Sequence, residues 1–118
     1  APDRVIAAID VQRGQATGSG WIDEGKPLDE VLAPLESFGI TRALVTAIVR
    51  DGTMSGPDLV LIGTVREAAP NLKITASGGV GELSDLRALA MAGCEAVVVG
   101  RALYENRFTL EQAIAAAG

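Results

Sequence analysis

The chain has 118 residues, 48% of them hydrophobic and only 3% aromatic, with a formal net charge of −5. That hydrophobic share excludes a disordered chain, and the length holds one domain with a single core. The acidic balance, without any block of Lys and Arg, argues against a nucleic-acid partner, because such binding is gained by neutralising phosphates along a basic surface.

Residues 4–10 open the chain with an apolar strand that ends in a carboxylate, Asp10, and a long loop containing Gly20 and Trp21 follows. Apolar residues spaced at three and four then predict a helix over 28–38, and a second strand covers 42–47, ending beside Thr46. A loop with the turn pair Asp51-Gly52 leads into a helix over 58–69. The third strand, 72–76, opens into Ser-Gly-Gly-Val-Gly before a helix over 83–92. The fourth strand, 95–99, opens into Gly100-Arg101, and a last helix over 110–117 starts at the capping-box pair Thr109 and Gln112.

The links from helix to strand are tight, whereas those from strand to helix are long and rich in Gly, Ser, Thr and Asp. Scarce aromatics and abundant Ala, Val, Leu and Ile are what parallel strands under helices require. In a parallel α/β protein the long loops gather at the C-terminal edge of the sheet, where such folds keep their sites. Gly39-Ile-Thr-Arg-Ala-Leu-Val-Thr also lines up with Gly93-Cys-Glu-Ala-Val-Val-Val-Gly, which suggests a faint repeat of helix end, turn and strand. The expected fold is a (βα)4 half-barrel of the TIM-barrel type, one α/β domain over residues 1–118. Its sheet leaves edges and one face uncovered, and self-association, with a homodimer as the simplest form, would close it into eight strands.

The glycines after the last two strands let backbone N–H groups approach an anion, and a following helix start adds positive charge. Gly78 and Gly79 with Gly100 and Arg101 therefore read as a phosphate site. A tight turn is the alternative for the first pair, but the matching Gly100-Arg101 after the next strand favours phosphate; for Arg101 the alternative is pairing with a surface carboxylate. Asp10, at a strand end beside a long loop, reads as either catalytic or turn-capping. Thr46 is by itself an ordinary β-branched strand residue. Tyr104 and Phe108 read as packing under the last helix. Cys94 is the sole cysteine, so no internal disulfide forms, and it reads as a small core residue. With no histidine in the chain, neither a metal site nor a cofactor is expected. No apolar run nears the roughly 20 residues that cross a bilayer, and Ala-Pro-Asp-Arg at the start lacks a signal pattern, so a cytoplasmic protein without a membrane partner is expected.

From Asp10 onward the order of motifs resembles the C-terminal half of the ribotide isomerases of histidine biosynthesis, which are (βα)8 barrels. Its carriers are Ile-Asp-Val at 9–11 with Gly20-Trp21, Leu-Val-Thr at 44–46, Arg-Asp-Gly-Thr-Met-Ser-Gly-Pro at 50–57, Ala-Ser-Gly-Gly-Val at 76–80, and Val-Gly-Arg-Ala-Leu-Tyr at 99–104. The sister cyclase is similar in layout, and the Arg-Ala-Leu-Tyr and Arg-Phe-Thr ending favours the isomerase.

The resemblance implies that Asp10 acts in acid–base catalysis of an Amadori rearrangement and that Thr46 assists it. It implies that Gly78, Gly79, Gly100 and Arg101 hold one phosphate of a phosphoribosyl ligand. Gly20, Trp21, Asp51 and Gly52 are weaker substrate-loop candidates, since Trp21 reads first as an anchor of its loop and Asp51-Gly52 at least equally as an ordinary turn. Two departures stand out. Thr46 is followed by Ala47 where the family commonly has aspartate, which suggests a lost polar neighbour. The family's N-terminal half, with its own aspartate and second phosphate site, is not in this chain, so phosphate binding with weak or no activity alone is expected. A paired isomerase is the alternative, closed by a second copy or by a separate N-terminal half-barrel.

Overall fold

The structure is a computed structural model that describes residues 4–12, 15–16 and 26–118. In chain order its elements are β1 (Ile6–Gln12), β2 (Gln15–Ala16), β3 (Lys26–Pro27), α1 (Leu28–Ser37), β4 (Arg42–Ala47), α2 (Leu59–Ala68), β5 (Lys73–Ser77), α3 (Leu83–Met91), β6 (Ala96–Val98), α4 (Arg101–Tyr104) and α5 (Leu110–Ala117). The sheet order is β3-β2-β1-β4-β5-β6. The strands β1, β4, β5 and β6 run parallel, alternating with helices, as the half-barrel expectation requires. The sheet is open.

One edge differs from expectation. The two-residue strands β2 and β3 add an antiparallel extension, pairing Val11 with Ala16 and Gln12 with Gln15 at the C-terminal end of β1. That corner is therefore covered by the chain itself, while the rest of β1 stays at the margin of the parallel sheet.

Alternation assigns the two faces. Ile9, Val11, Ala43, Val45, Ala47, Ile74 and Ala76 are buried with Leu61, Ile62, Val65, Leu86 and Leu89 from the helices, forming the core on one side of the sheet. The residues between them, Ala8, Asp10, Leu44, Thr46, Thr75, Ser77, Ala96 and Val98, lie on the other face, which carries no helix among the described residues and is half-buried or exposed. In a closed barrel this is the interior.

The ends of the helices are fixed locally. Ile40 N–H donates to the Leu35 carbonyl at 2.9 Å and Gly39 N–H to that of Glu36 at 3.0 Å, with Gly39 at φ 75°. Cys94 and Gly93 repeat this pattern on Leu89 and Ala90, with Gly93 at φ 91°. Both are Schellman stops, in which a left-handed residue lets two N–H groups close the last carbonyls. The faint repeat is thus a repeated stop feeding β4 and β6. Asp58 caps α2 through Leu61 N–H at 3.0 Å, and Thr109 with Gln112 forms the expected reciprocal cap of α5.

The short helix α4 was not anticipated. It ends on Asn106 at φ 55°, the asparagine variant of the same stop. Its Ala102 is fully buried whereas Tyr104 is 86% exposed, so Tyr104 does not pack under the last helix. A single turn buries one side and turns its neighbour two positions on to solvent. Phe108 is buried as expected. Cys94 is half-buried against the core margin rather than fully enclosed.

Candidate functional site

Ser77 ends β5 and Val98 ends β6, and the chain turns outward after each. A pocket of about 80 Å³ forms there at the C-terminal edge, lined by Gly78, Gly79, Gly100 and Arg101 together with Asp51, Gly52, Met54, Ser77, Val80 and Val98. All four residues expected at a phosphate, and both of the Asp51-Gly52 pair, converge on this one concavity. Gly20 and Trp21 lie outside the described residues.

The glycines are required by the way two loops nest. At Gly78, φ is 105° and an added Cβ would stand 2.8 Å from the Ala47 carbonyl oxygen. At Gly79, φ is 91° and a Cβ would overlap the Gly56 carbonyl oxygen. Gly56 N–H also donates to the Gly79 carbonyl at 2.7 Å. The Ser-Gly-Gly turn therefore presses main chain against main chain of the β4–α2 loop, which Arg50 braces by donating to the Gly56 carbonyl at 3.1 Å. Gly100, by contrast, has open space where a Cβ would stand.

The charges in the pocket are opposed. Arg101 is exposed, and its Nη1 donates to the Gly52 carbonyl at 2.7 Å, a contact 49 residues away in sequence that holds the guanidinium at the rim. Its Nε reaches the Glu105 carboxylate at 3.5 Å, an exposed pair that contributes little. A guanidinium has five N–H donors, so donors remain for an anion. Asp51 brings a carboxylate to the same rim.

The helix dipole enters differently from expectation. The Asp85 carboxylate accepts from Gly81 N–H at 2.9 Å and from Glu82 N–H at 3.0 Å. These two donors at the start of α3 are satisfied internally, and their positive end faces a carboxylate already. The pocket's positive charge rests on Arg101.

Asp10 and Thr46 do not line the pocket, yet register ties them to it. Asp10 pairs with Thr46, Thr46 with Ser77 and Ser77 with Val98, one row across the open face. Neighbouring strands stand about 4.8 Å apart, so the Asp10 backbone is roughly 10 Å from that of the pocket-lining Ser77. Asp10 is half-buried, as is Thr46. Ala47 faces the other way, buried in the helix-side core, so its side chain is not in the Asp10 row.

Ser77, Met54, Val80 and Val98 were not singled out from the sequence. Ser77 was accessible to it, since period-two alternation from Thr75 puts it on the same face as Thr46. Among the described residues, no group of three or more Cys, Asp or Glu is placed to hold a metal ion, and no helix is long and apolar enough to cross a membrane.

A parallel half-sheet with helices on one face, a long-loop edge and a pocket between its last two strands defines half of a (βα) barrel of the TIM type. The chain belongs to the family of histidine biosynthesis proteins, which it matches over residues 1–109. It is 45% identical to phosphoribosyl isomerase A of Mycobacterium avium (strain 104) over 121 aligned positions, covering 97% of this chain and 49% of that protein. It is 44% identical to an imidazole-4-carboxamide isomerase of Corynebacterium diphtheriae, covering 98% of this chain and 48% of the relative. The phosphoribosyl isomerase A of Streptomyces griseus is likewise 44% identical, over 97% of this chain and 48% of its own length. The chain spans about half the length of the curated relatives it matches.

Proposed function

We propose that this chain is one half of a phosphoribosyl isomerase site, holding one phosphate of a phosphoribosyl ligand and bringing one acid–base carboxylate. The supporting observation is convergence: Gly78, Gly79, Gly100 and Arg101 line one pocket with Asp51 and Gly52, and the Asp10–Thr46–Ser77 row leads to it across the open face. TIM barrels frequently bind phosphate between the loops after their last two strands and a short extra helix, and α4 follows β6 in that position. Arg101 supplies charge-assisted donors to the phosphate, and Asp51 accepts from a sugar hydroxyl.

Asp10, on this reading, moves protons in the rearrangement of an aminoaldose to an aminoketose, which shifts hydrogen from C2 to C1 without net gain or loss of atoms. Thr46 hydrogen-bonds beside it. A second acid–base group and the other phosphate site come from a complementary half-barrel. Alone, the chain binds phosphate with little or no turnover. Such a biosynthetic isomerase works in the cytoplasm and needs no cofactor.

Titration of ribose 5-phosphate into the chain, followed by amide NMR shifts, tests the phosphate half. Loss of a charge-assisted contact costs about 1.5–3 kcal/mol, so Arg101→Gln should weaken binding by roughly ten- to a hundredfold. Equal affinity of the two proteins, or no binding by either, overturns the assignment. Isomerase turnover with Asp10→Asn as control tests the catalytic half, and turnover surviving that substitution removes Asp10 from the mechanism.

A further inference from the structure

The open face has a charged base. At the N-terminal ends of the strands, register puts Ile6 beside Arg42 and Arg42 beside Lys73, all on the face without helices. Arg42 is answered within the chain, its Nη2 lying 3.3 Å from a Glu95 carboxylate oxygen. Lys73 has no ion-pair partner among the described residues and is exposed. Among the described residues, Lys73 therefore brings to the base of this half-interior a positive charge with no ion-pair partner. Above it one register row runs Ala8, Leu44, Thr75 and Ala96, small and apolar except for Thr75.

Closing the barrel with a second copy by two-fold symmetry would bring a second Lys73 to the same base. Like charges juxtaposed on burial oppose association, whereas opposite charges select partners and speed encounter. We propose that the half-sheet covering this face carries carboxylates at the base of its inward-facing strands, and that this chain prefers such an acidic-based half over a second copy of itself. The proposal rests on the half-barrel reading above. One uncompensated charge on each side, at about 10 Å and an effective dielectric constant near 20, is on the order of tenfold in affinity.

The chain itself supplies the probe. Lys73→Glu changes the base from net positive to net negative while leaving the rows above it intact, so it stands in for an acidic-based half. Native mass spectrometry of an equimolar mixture of wild type and Lys73→Glu, one of them isotope-labelled, counts mixed and self pairs. At low salt the mixed pair should exceed the statistical half, favoured on the order of a hundredfold over self pairs, since repulsion in one is replaced by attraction in the other. It should return towards one half in 1 M salt, where the Debye length is about 3 Å. Lys73→Gln, which removes the charge with minimal change of shape, should pair with itself more tightly than wild type does.

A statistical mixture at low salt, or an excess of self pairs, overturns the charge rule. Leu44→Arg, in the middle of the open face, separates this from failure of the underlying reading. Pairing that survives Leu44→Arg shows that the face is not the interface, and the absence of pairs in every mixture shows that no half-sheet of this shape closes it. Either of those results refutes closure through this face, and the proposal with it. Pairing abolished by Leu44→Arg alongside a statistical mixture refutes the charge rule alone.

Discussion

Gly79→Ala tests whether the glycine turn is dictated by loop nesting. The residue sits at φ 91°, which costs an L-residue about 1–2 kcal/mol. The added Cβ also overlaps the Gly56 carbonyl oxygen and stands 2.9 Å from its carbon and 3.1 Å from Arg50 Cβ. Relief requires the β4–α2 loop to retreat, at about 1–3 kcal/mol for overpacking. Retreat also breaks the 2.7 Å bond from Gly56 N–H to the Gly79 carbonyl, worth about 1 kcal/mol. The expected loss is about 3–6 kcal/mol, a large part of a domain stability of about 5–15 kcal/mol. Gly52→Ala is the internal reference: φ is 74°, but nothing lies within 4 Å of its Cβ, so it should lose only about 1–2 kcal/mol. Urea denaturation followed by far-UV circular dichroism should separate the two midpoints by at least about 1 M. If Gly79→Ala matches Gly52→Ala within about 1 kcal/mol, the nesting argument is wrong and the glycine is there for another reason.

Asp58→Ala removes the acceptor for Leu61 N–H at the start of α2 and should lower stability by about 1 kcal/mol in the same denaturation. Gly63→Ala, within α2 and with nothing within 4 Å of its Cβ, should raise it by about 0.5–1 kcal/mol, seen as a higher midpoint. Burial pushes the Cys94 thiol up from its ordinary pKa, with the Arg66 guanidinium pulling in the opposite direction. The folded state then holds the proton more firmly than the unfolded one, so this contribution is complete below about pH 8.5 and is lost as pH rises through the folded value. Thermal melts between pH 7 and pH 10 should show a decline that Cys94→Ala lessens, and thiol alkylation at pH 8 should be slower than for free cysteine.

The parallel elements were legible because burial on one face imposes a period that the sequence displays directly. The strand over 42–47 and the helix over 110–117 match the structure at both ends, and the first strand is shifted two residues towards its loop. In that shift Gln12 joins because it pairs with Gln15, a partner that lies beyond the strand's own pattern. The strands β2 and β3 have two residues each, too few to show any period, and α4 is a single turn without one. The pocket's glycines were legible by type, but their need for the Ala47 and Gly56 carbonyls is a contact between loops about 20 to 30 residues apart, which no local pattern encodes. The engagement of Asp85 with the start of α3 is by contrast local, a carboxylate at the third helical position serving as an ordinary capping signal.

The wall behind the pocket is main chain at three successive contacts: Gly78 on Ala47, Gly79 on Gly56 and Gly81 on Met54. A surface built from peptide groups has no rotamers to sample, so its shape is fixed once the backbone is folded. Diversification of such a site is therefore confined to the side chains that rim it, chiefly Asp51, Met54, Val98 and Arg101. Directed evolution towards a different anion should gather its changes at those positions and leave the three glycines untouched.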